Sequence, residues 1–243
     1  MKKPKILFYD IETEPNLAYV WGKYDQNVIA FKKEWEMLSF AYKWQGDKTV
    51  KCVSRNQFKD KDDKAVVKEL WKLFKEADIV VAHNNDAFDQ KKTQARFIYH
   101  GFEPPKFLNS VDTKKVAKRH FQFNSNSLND LGTYLKLGTK LHTGGFDLWL
   151  GCMANEPKAW KKMREYNKQD VSLLEKVYNR FLPWIDNHPN MAITKQKNKE
   201  DILCPACTSE NTEFVDVYVM PRSIKQINKC NDCSNRFYTR YKK

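Results

Sequence analysis

Carboxylates and thiols at short, regular spacings are the residues in this chain that could do chemistry. Asp10 and Glu12 stand one residue apart at the end of the apolar run Ile6-Leu7-Phe8-Tyr9. In a strand, positions i and i+2 share a face, so the two carboxylates project together and repel unless a cation sits between them. A divalent metal with oxygen ligands suits such a pair. Asp89 follows Asn84-Asn85-Asp86-Ala87-Phe88, where the apolar run from Ile79 gives way to a helical pattern. Site residues of open α/β sheets gather at such strand-to-helix junctions. Tyr166 and Asp170 lie four apart in a long helical pattern, hence on one helical face. Taken singly, these pieces also read as a solvated strand end, a helix cap, and a surface tyrosine beside a carboxylate. Cys204-x2-Cys207 and Cys230-x2-Cys233, separated by 22 residues, have the spacing of a four-cysteine zinc site. A thioredoxin-type redox motif would use one such pair near a βαβ unit, and here there are two.

The elements that must position these residues follow from patterning. Ala18–Tyr24, Met37–Trp44 and Thr49–Ser54 are strand-like, the last two joined by a turn at Gln45-Gly46-Asp47-Lys48. Asp62 and Asp63 offer an N-cap for a helix over about 64–77, with Val66, Val67, Leu70, Trp71, Leu73 and Phe74 at helical spacing. A helix over 88–100 ends at Gly101, and Phe88 is expected in the core, where it would aim Asp89. Residues 107–111 read as a strand, with Asp112 opening a helix to His120. Ser127-Leu128-Asn129-Asp130 resembles a capping box for a helix to about Leu137. Residues 138–151 read as a loop, and 157–185 as one long helix. Antiparallel-type strands followed by alternating strands and helices indicate a mixed sheet flanked by helices. The cysteine pairs bracket one alternating strand, 213–220, and precede another, 236–241. The expected organisation is a first domain over 1–187, a polar linker over 188–200 and a small zinc ribbon over 201–243.

Read jointly, Asp10-x-Glu12, Asn85-x-x-Phe88-Asp89 and Tyr166-x-x-x-Asp170 resemble the three motifs of the DnaQ-like (DEDD) 3′–5′ exonucleases of the ribonuclease H-like superfamily. The order and the kind of element match, over about residues 5–185. A second branch of that family has histidine five residues before the last aspartate. Here that position is Glu165, so the resemblance is to the tyrosine branch. Val111-Asp112-Thr113 and Ser127-Leu128-Asn129-Asp130-Leu131 look like the segments between the second and third motifs. The resemblance implies a ribonuclease H-like fold and two-metal phosphodiester hydrolysis with Mg²⁺ or Mn²⁺. Asp10 would bridge both ions, Glu12 and Asp170 would complete the one carrying the attacking water, and Asp89 would serve the other. Tyr166 would orient that water, since a phenol with a pKa near ~10 is a poor base at neutral pH. Asn85, Lys140 and His142 are candidate substrate contacts.

Composition agrees with a polyanionic partner. Lys and Arg total 43 against 30 acidic residues, a net charge of +13. On charge, nucleic acid is the first candidate and an anionic membrane the second; the family resemblance implies single-stranded DNA or a 3′ end ahead of RNA, with a replication or repair protein as a further partner. No apolar run approaches the ~18–20 residues of a membrane span, so a cytoplasmic chain without membrane association is expected. Cys52 and Cys152 stand alone and read as ordinary buried residues. Residues 191–243 hold ten Lys/Arg and six Asp/Glu. The tail is therefore basic like the rest, and its cations are interleaved with Phe237 and Tyr238, as in single-strand binders. Two other readings stay open: a structure-selective, resolvase-like endonuclease, and a nucleic-acid-binding adaptor with a vestigial site.

Overall fold

The computed structural model describes residues 4–24, 27–60, 62–106, 109–194 and 201–241. Its centre is strand β1 (Ile6–Thr13), whose alternation serves two cores at once. Leu7, Tyr9 and Ile11 face one side and pack with Val66, Leu70 and Phe74 of α1 (Lys64–Glu76) and Phe97 of α2 (Asp89–Tyr99). Ile6 and Phe8 face the other side and join Val171, Leu174, Val177 and Tyr178 of α6 (Pro157–Phe181). Burying both faces of a strand explains why its apolar run is continuous. Asp10 and Glu12 continue the parity of Ile6 and Phe8, so they turn toward α6.

Around β1 the sheet runs β5-β4-β1-β6-β7, with β4 (Met37–Trp44), β5 (Lys51–Ser54), β6 (Ile79–Ala82) and β7 (Asn109–Asp112). β4 pairs antiparallel with β1 and with β5, whereas β6 lies parallel to β1 and β7 parallel to β6. This is the expected mixed sheet flanked by helices. The sequence reading began β7 at 107, but 107 and 108 lie outside the described residues. The second flank is completed by α3 (Thr113–His120) and α4 (Leu128–Tyr134). Asp63 occupies the N-cap position of α1, yet Asp62 accepts the first-turn bond, from Lys64 N at 2.9 Å. Asp63 instead accepts from Met37 N (2.8 Å) and Arg96 Nε (2.7 Å), tying α1 and α2 to β4.

Four departures from the sequence reading are local. β2 (Leu17–Tyr19) ends early and pairs with β3 (Ala30–Lys33), a short exposed strand with no strong pattern. The stretch read wholly as loop contains a helix, α5 (Asp147–Met153). Seven residues with an internal glycine give little periodicity, and tertiary packing supplies the stability. A Cβ on Gly151 would stand 2.7 Å from Ala159 Cβ, so glycine is what lets α5 lie against α6. Pro183 converts the end of the long helix into a 3-10 turn over Leu182–Trp184. Phe88 is 38% exposed rather than in the core; α2 buries Phe97 instead.

The tail forms a second, three-stranded antiparallel sheet ordered β10-β9-β8, from β8 (Thr212–Met220), β9 (Ser223–Cys230) and β10 (Arg236–Arg240). β9 is polar and escaped the sequence reading. Cys204, Ala206, Cys230 and Phe237 share one apolar cluster with Tyr178, Phe181, Leu182 and Ile185 at the end of α6. The stretch expected as linker takes part in this junction up to residue 194. His188 is buried with Nε2 2.8 Å from the Tyr178 hydroxyl, Ala192 is buried, and Met191 N donates to Pro205 O.

Candidate metal and nucleic-acid site

At the carboxyl end of β1, Asp10, Glu12 and Asp170 each offer an oxygen within a group whose members lie within 4.8 Å of one another. Parity on β1 supplies the first two, and the inward face of α6 supplies the third. Asp89 stands at the edge of this group, at the first turn of α2. It accepts from Ile11 N at 3.3 Å, the backbone amide between Asp10 and Glu12. Tyr166 lies one helical turn before Asp170, seated on Leu38, Leu148 and Met163. Thus the structure brings together the five residues the motifs singled out.

The clustered carboxylates are buried and raise one another, as groups able to hold a cation do. Burial, then the charges of Asp89, Glu12 and Asp170, hold the Asp10 carboxyl well above the usual range. Glu12 is pushed up to about 8 by burial and then by Asp170, and Asp89 to about 7, chiefly by burial. Asp170 is raised by burial, against the opposing pull of Lys140. Asp170 Oδ1 is buried without a hydrogen-bond donor, while Oδ2 meets the Lys140 ammonium 2.6 Å away. Buried carboxylate oxygens without donors are costly in an apo fold and are what a metal ion would satisfy. An all-oxygen donor set suits Mg²⁺ or Mn²⁺ over zinc. Burial and the charges of Glu12 and Asp170 raise the Tyr166 phenol, which therefore keeps its proton and can donate.

Lys140 is placed here too. Its ammonium lies 2.6 Å from Asp170 Oδ2 and 3.1 Å from the Tyr166 hydroxyl. Its own amide donates to Asn129 Oδ1, and Gln169 Nε2 donates to the adjacent Thr139 carbonyl, which pins this loop between α4 and α6. Burial opposes the charge, but the Asp170 carboxylate outweighs it and raises the ammonium pKa. Lys140 is thus the internal counter-charge of the cluster. His142 is exposed and, among the described residues, accepts from Gly144 N, 3.2 Å away. Asn85 is fully buried and committed within the protein: Tyr9 OH donates to its Oδ1, and its Nδ2 donates to Ser110 Oγ at 2.7 Å. It braces the motif-two loop and has no exposed surface. Asp112 braces the same loop, accepting from Asn84 N and Asp86 N while capping α3.

Two further residues escaped the sequence reading. Asn167 is fully buried, and its Nδ2 donates to Asp10 Oδ2 (2.7 Å) and to Asp10 O (3.1 Å). Its position three residues before Asp170, on the same helical face, was the available signal. Trp149 of α5 lies beside Glu12, whose carboxyl it helps hold down against burial, and meets the Tyr166 ring edge-on at 6.2 Å. Beside it opens a cavity of 410 Å³ walled by Trp35, Phe146 and Trp149, with Lys92 at its margin.

In the tail, the four cysteine sulfurs also lie within 4.8 Å of one another. Cys204–Cys233 and Cys207–Cys230 are 3.6 Å apart, far beyond a disulfide bond of about 2.05 Å. A tetrahedron of thiolates at zinc–sulfur distances of about 2.3 Å has edges of about 3.8 Å, so the geometry fits zinc.

A comparison with protein-family models matches residues 7–182 to the RNase_H superfamily. The chain belongs to that superfamily. The match covers the sheet, the helices and all four carboxylates, and stops before the cysteine module. A search among curated proteins returned no significant match. Membership points to a nucleic-acid-cleaving hydrolase.

Proposed function

We propose that this superfamily member is a metal-dependent 3′–5′ exonuclease, with DNA preferred over RNA. The observation that carries the reading is the convergence of Asp10, Glu12 and Asp170 with Asp89 beside them and Tyr166 one turn away. Asp10, Glu12, Asp170 and Asp89 are the residues that would hold two Mg²⁺ or Mn²⁺ ions. Such ions, when bound, neutralise phosphate charge and activate a water for in-line attack.

The chain's own groups do the positioning. Asn167 fixes the rotamer of Asp10, and Trp149 stands beside Glu12. The protonated Tyr166 hydroxyl donates a hydrogen bond that orients the attacking water. Lys140 compensates the carboxylates and is placed to meet a phosphate oxygen when cations take its place at Asp170. The aromatic cavity beside Trp149 supports terminal cleavage, since unpaired bases stack on such walls and Lys92 offers a phosphate contact. In the tail, Cys204, Cys207, Cys230 and Cys233 would hold one structural zinc, and this module assists substrate binding.

The test is a time course on 5′-labelled single-stranded DNA and RNA of one sequence, with Mg²⁺, Mn²⁺ or EDTA. A metal-dependent ladder shortening from the 3′ end, absent in Asp10→Ala, supports the reading. Internal cuts would replace it with the endonuclease reading, and retained binding without cleavage with the adaptor.

A further inference from the structure

We infer that the outer face of the three-stranded tail sheet is a stacking platform for single-stranded nucleic acid. This deepens the nuclease reading and rests on it for the class of ligand. Residues paired across antiparallel strands share a face. The register pairs Tyr218 with Lys225, and Lys225 with Arg240. Two residues along, Asp216, Ile227 and Tyr238 form the next row, and Lys229 and Arg236 belong to the row after it. One face therefore carries Tyr218, Tyr238, Lys225, Lys229, Arg236 and Arg240, with Glu213 and Asp216 along its β8 side. A bulge between Phe214 and Asp216 decides this. Without the extra residue Tyr218 would point the other way.

The two tyrosines are 48% and 44% exposed, with ring centroids 5.6 Å apart. The Lys225 ammonium lies 5.7 Å from the Tyr238 centroid. Among the described residues, Lys225, Arg236 and Arg240 have no carboxylate within ion-pair distance, whereas Lys229 is paired with Glu213. The opposite face is covered where Phe237, Asn228 and Cys230 pack toward the first domain, and leaves Val219 and Ile224 exposed at its far end. At the β10 edge the platform meets a 330 Å³ cavity lined also by His120, Trp184 and Asp186 of the first domain. Neighbouring aromatic faces ringed by unpaired cations fit unstacked bases and their phosphates. A duplex keeps its base faces covered and would find only the charges.

The experiment uses the zinc-loaded full chain carrying Asp10→Ala, so that bound strands persist. Fluorescence anisotropy is read with labelled 20-mers of thymidylate and uridylate, and with a blunt hairpin duplex. Replacing both tyrosines (Tyr218→Ala with Tyr238→Ala) should weaken single-strand binding by ~10-fold or more and leave duplex binding little changed. Tyr218→Phe with Tyr238→Phe keeps the stacking surface and should bind as the parent does. Lys225→Glu with Arg240→Glu should flatten the dependence of log affinity on log salt by about 1–2. Zinc content verifies that each variant keeps the module. Unchanged affinity in the alanine pair overturns the platform, as does an effect of the charge variants alone. Cleavage by the chain with native Asp10 is assayed in parallel. Cleavage with a silent tyrosine pair removes only the platform; tyrosine-dependent binding without cleavage removes only the nuclease reading.

Discussion

Removing the Lys140 ammonium should separate the metal-free protein from the metal-loaded one. At 2.6 Å from Asp170 Oδ2, a unit charge pair gains roughly 6 kcal/mol at an effective dielectric near 20. Desolvation cancels much of that, and breaking a buried pair costs about 3–5 kcal/mol. With the Lys140 side chain 30% exposed, water screens what remains, and about 2 kcal/mol is a reasonable net loss. Lys140→Met keeps the aliphatic stem and deletes only the charge. For a chain of this size that corresponds to a melting temperature lower by ~4–8 °C. The melts are run in buffer passed over a chelating resin, not in EDTA, so that the cysteine site keeps its metal. Millimolar Mn²⁺ should then close most of the gap, because divalent cations supply the charge that the lysine supplied. A variant melting within about 1 °C of the parent in metal-free buffer would refute the counter-charge role, and so would a gap that Mn²⁺ leaves intact.

Other consequences concern the same groups and two structural ones. Asp10→Ala should lower turnover by ~10³-fold or more, since several kcal/mol of charge stabilisation leave with the metals; Tyr166→Phe should lose only ~10- to 100-fold while Mn²⁺ binding by calorimetry persists. Glu12 is raised from 4.5 to about 8 and Asp89 from 3.8 to about 7. Between those ordinary and raised values the folded metal-free chain holds protons that the unfolded chain has released, so its stability falls with rising pH. Melting temperature in metal-free buffer should therefore decline between about pH 6 and about pH 8, and Mn²⁺ should abolish that slope. Mass spectrometry of the purified chain should find about one zinc per molecule, and almost none in Cys204→Ser with Cys233→Ser. Asp63→Ala leaves the buried Arg96 and the Met37 amide without their acceptor, and urea unfolding should show a loss of about 3–5 kcal/mol.

Much of the site was legible because it depends on periods that local structure enforces. Two-residue parity joined Asp10 to Glu12, and the helical turn joined Tyr166 to Asp170. The Cys-x2-Cys pairs needed only chain geometry. Residues that act through distant partners were opaque. Asn85 looked like a substrate contact until its amide was seen bound to Tyr9 and Ser110. Trp149 was hidden because α5 is too short to show a pattern and is held by the close approach of Gly151 to Ala159.

By itself the sequence determined the class of sheet, the faces on which each carboxylate emerges and the thiol set of the tail. All of these are consequences of short-range periodicity and spacing. Only the tertiary structure decided that Lys140 enters the carboxylate cluster, that Asn167 fixes Asp10 and that the cysteine module packs on the end of α6 through Tyr178 and His188. It also decided, by one bulged residue in β8, which face of the tail sheet carries Tyr218. Those contacts join residues from 10 to 157 positions apart, where burial, charge compensation and register, not local preference, select the partner.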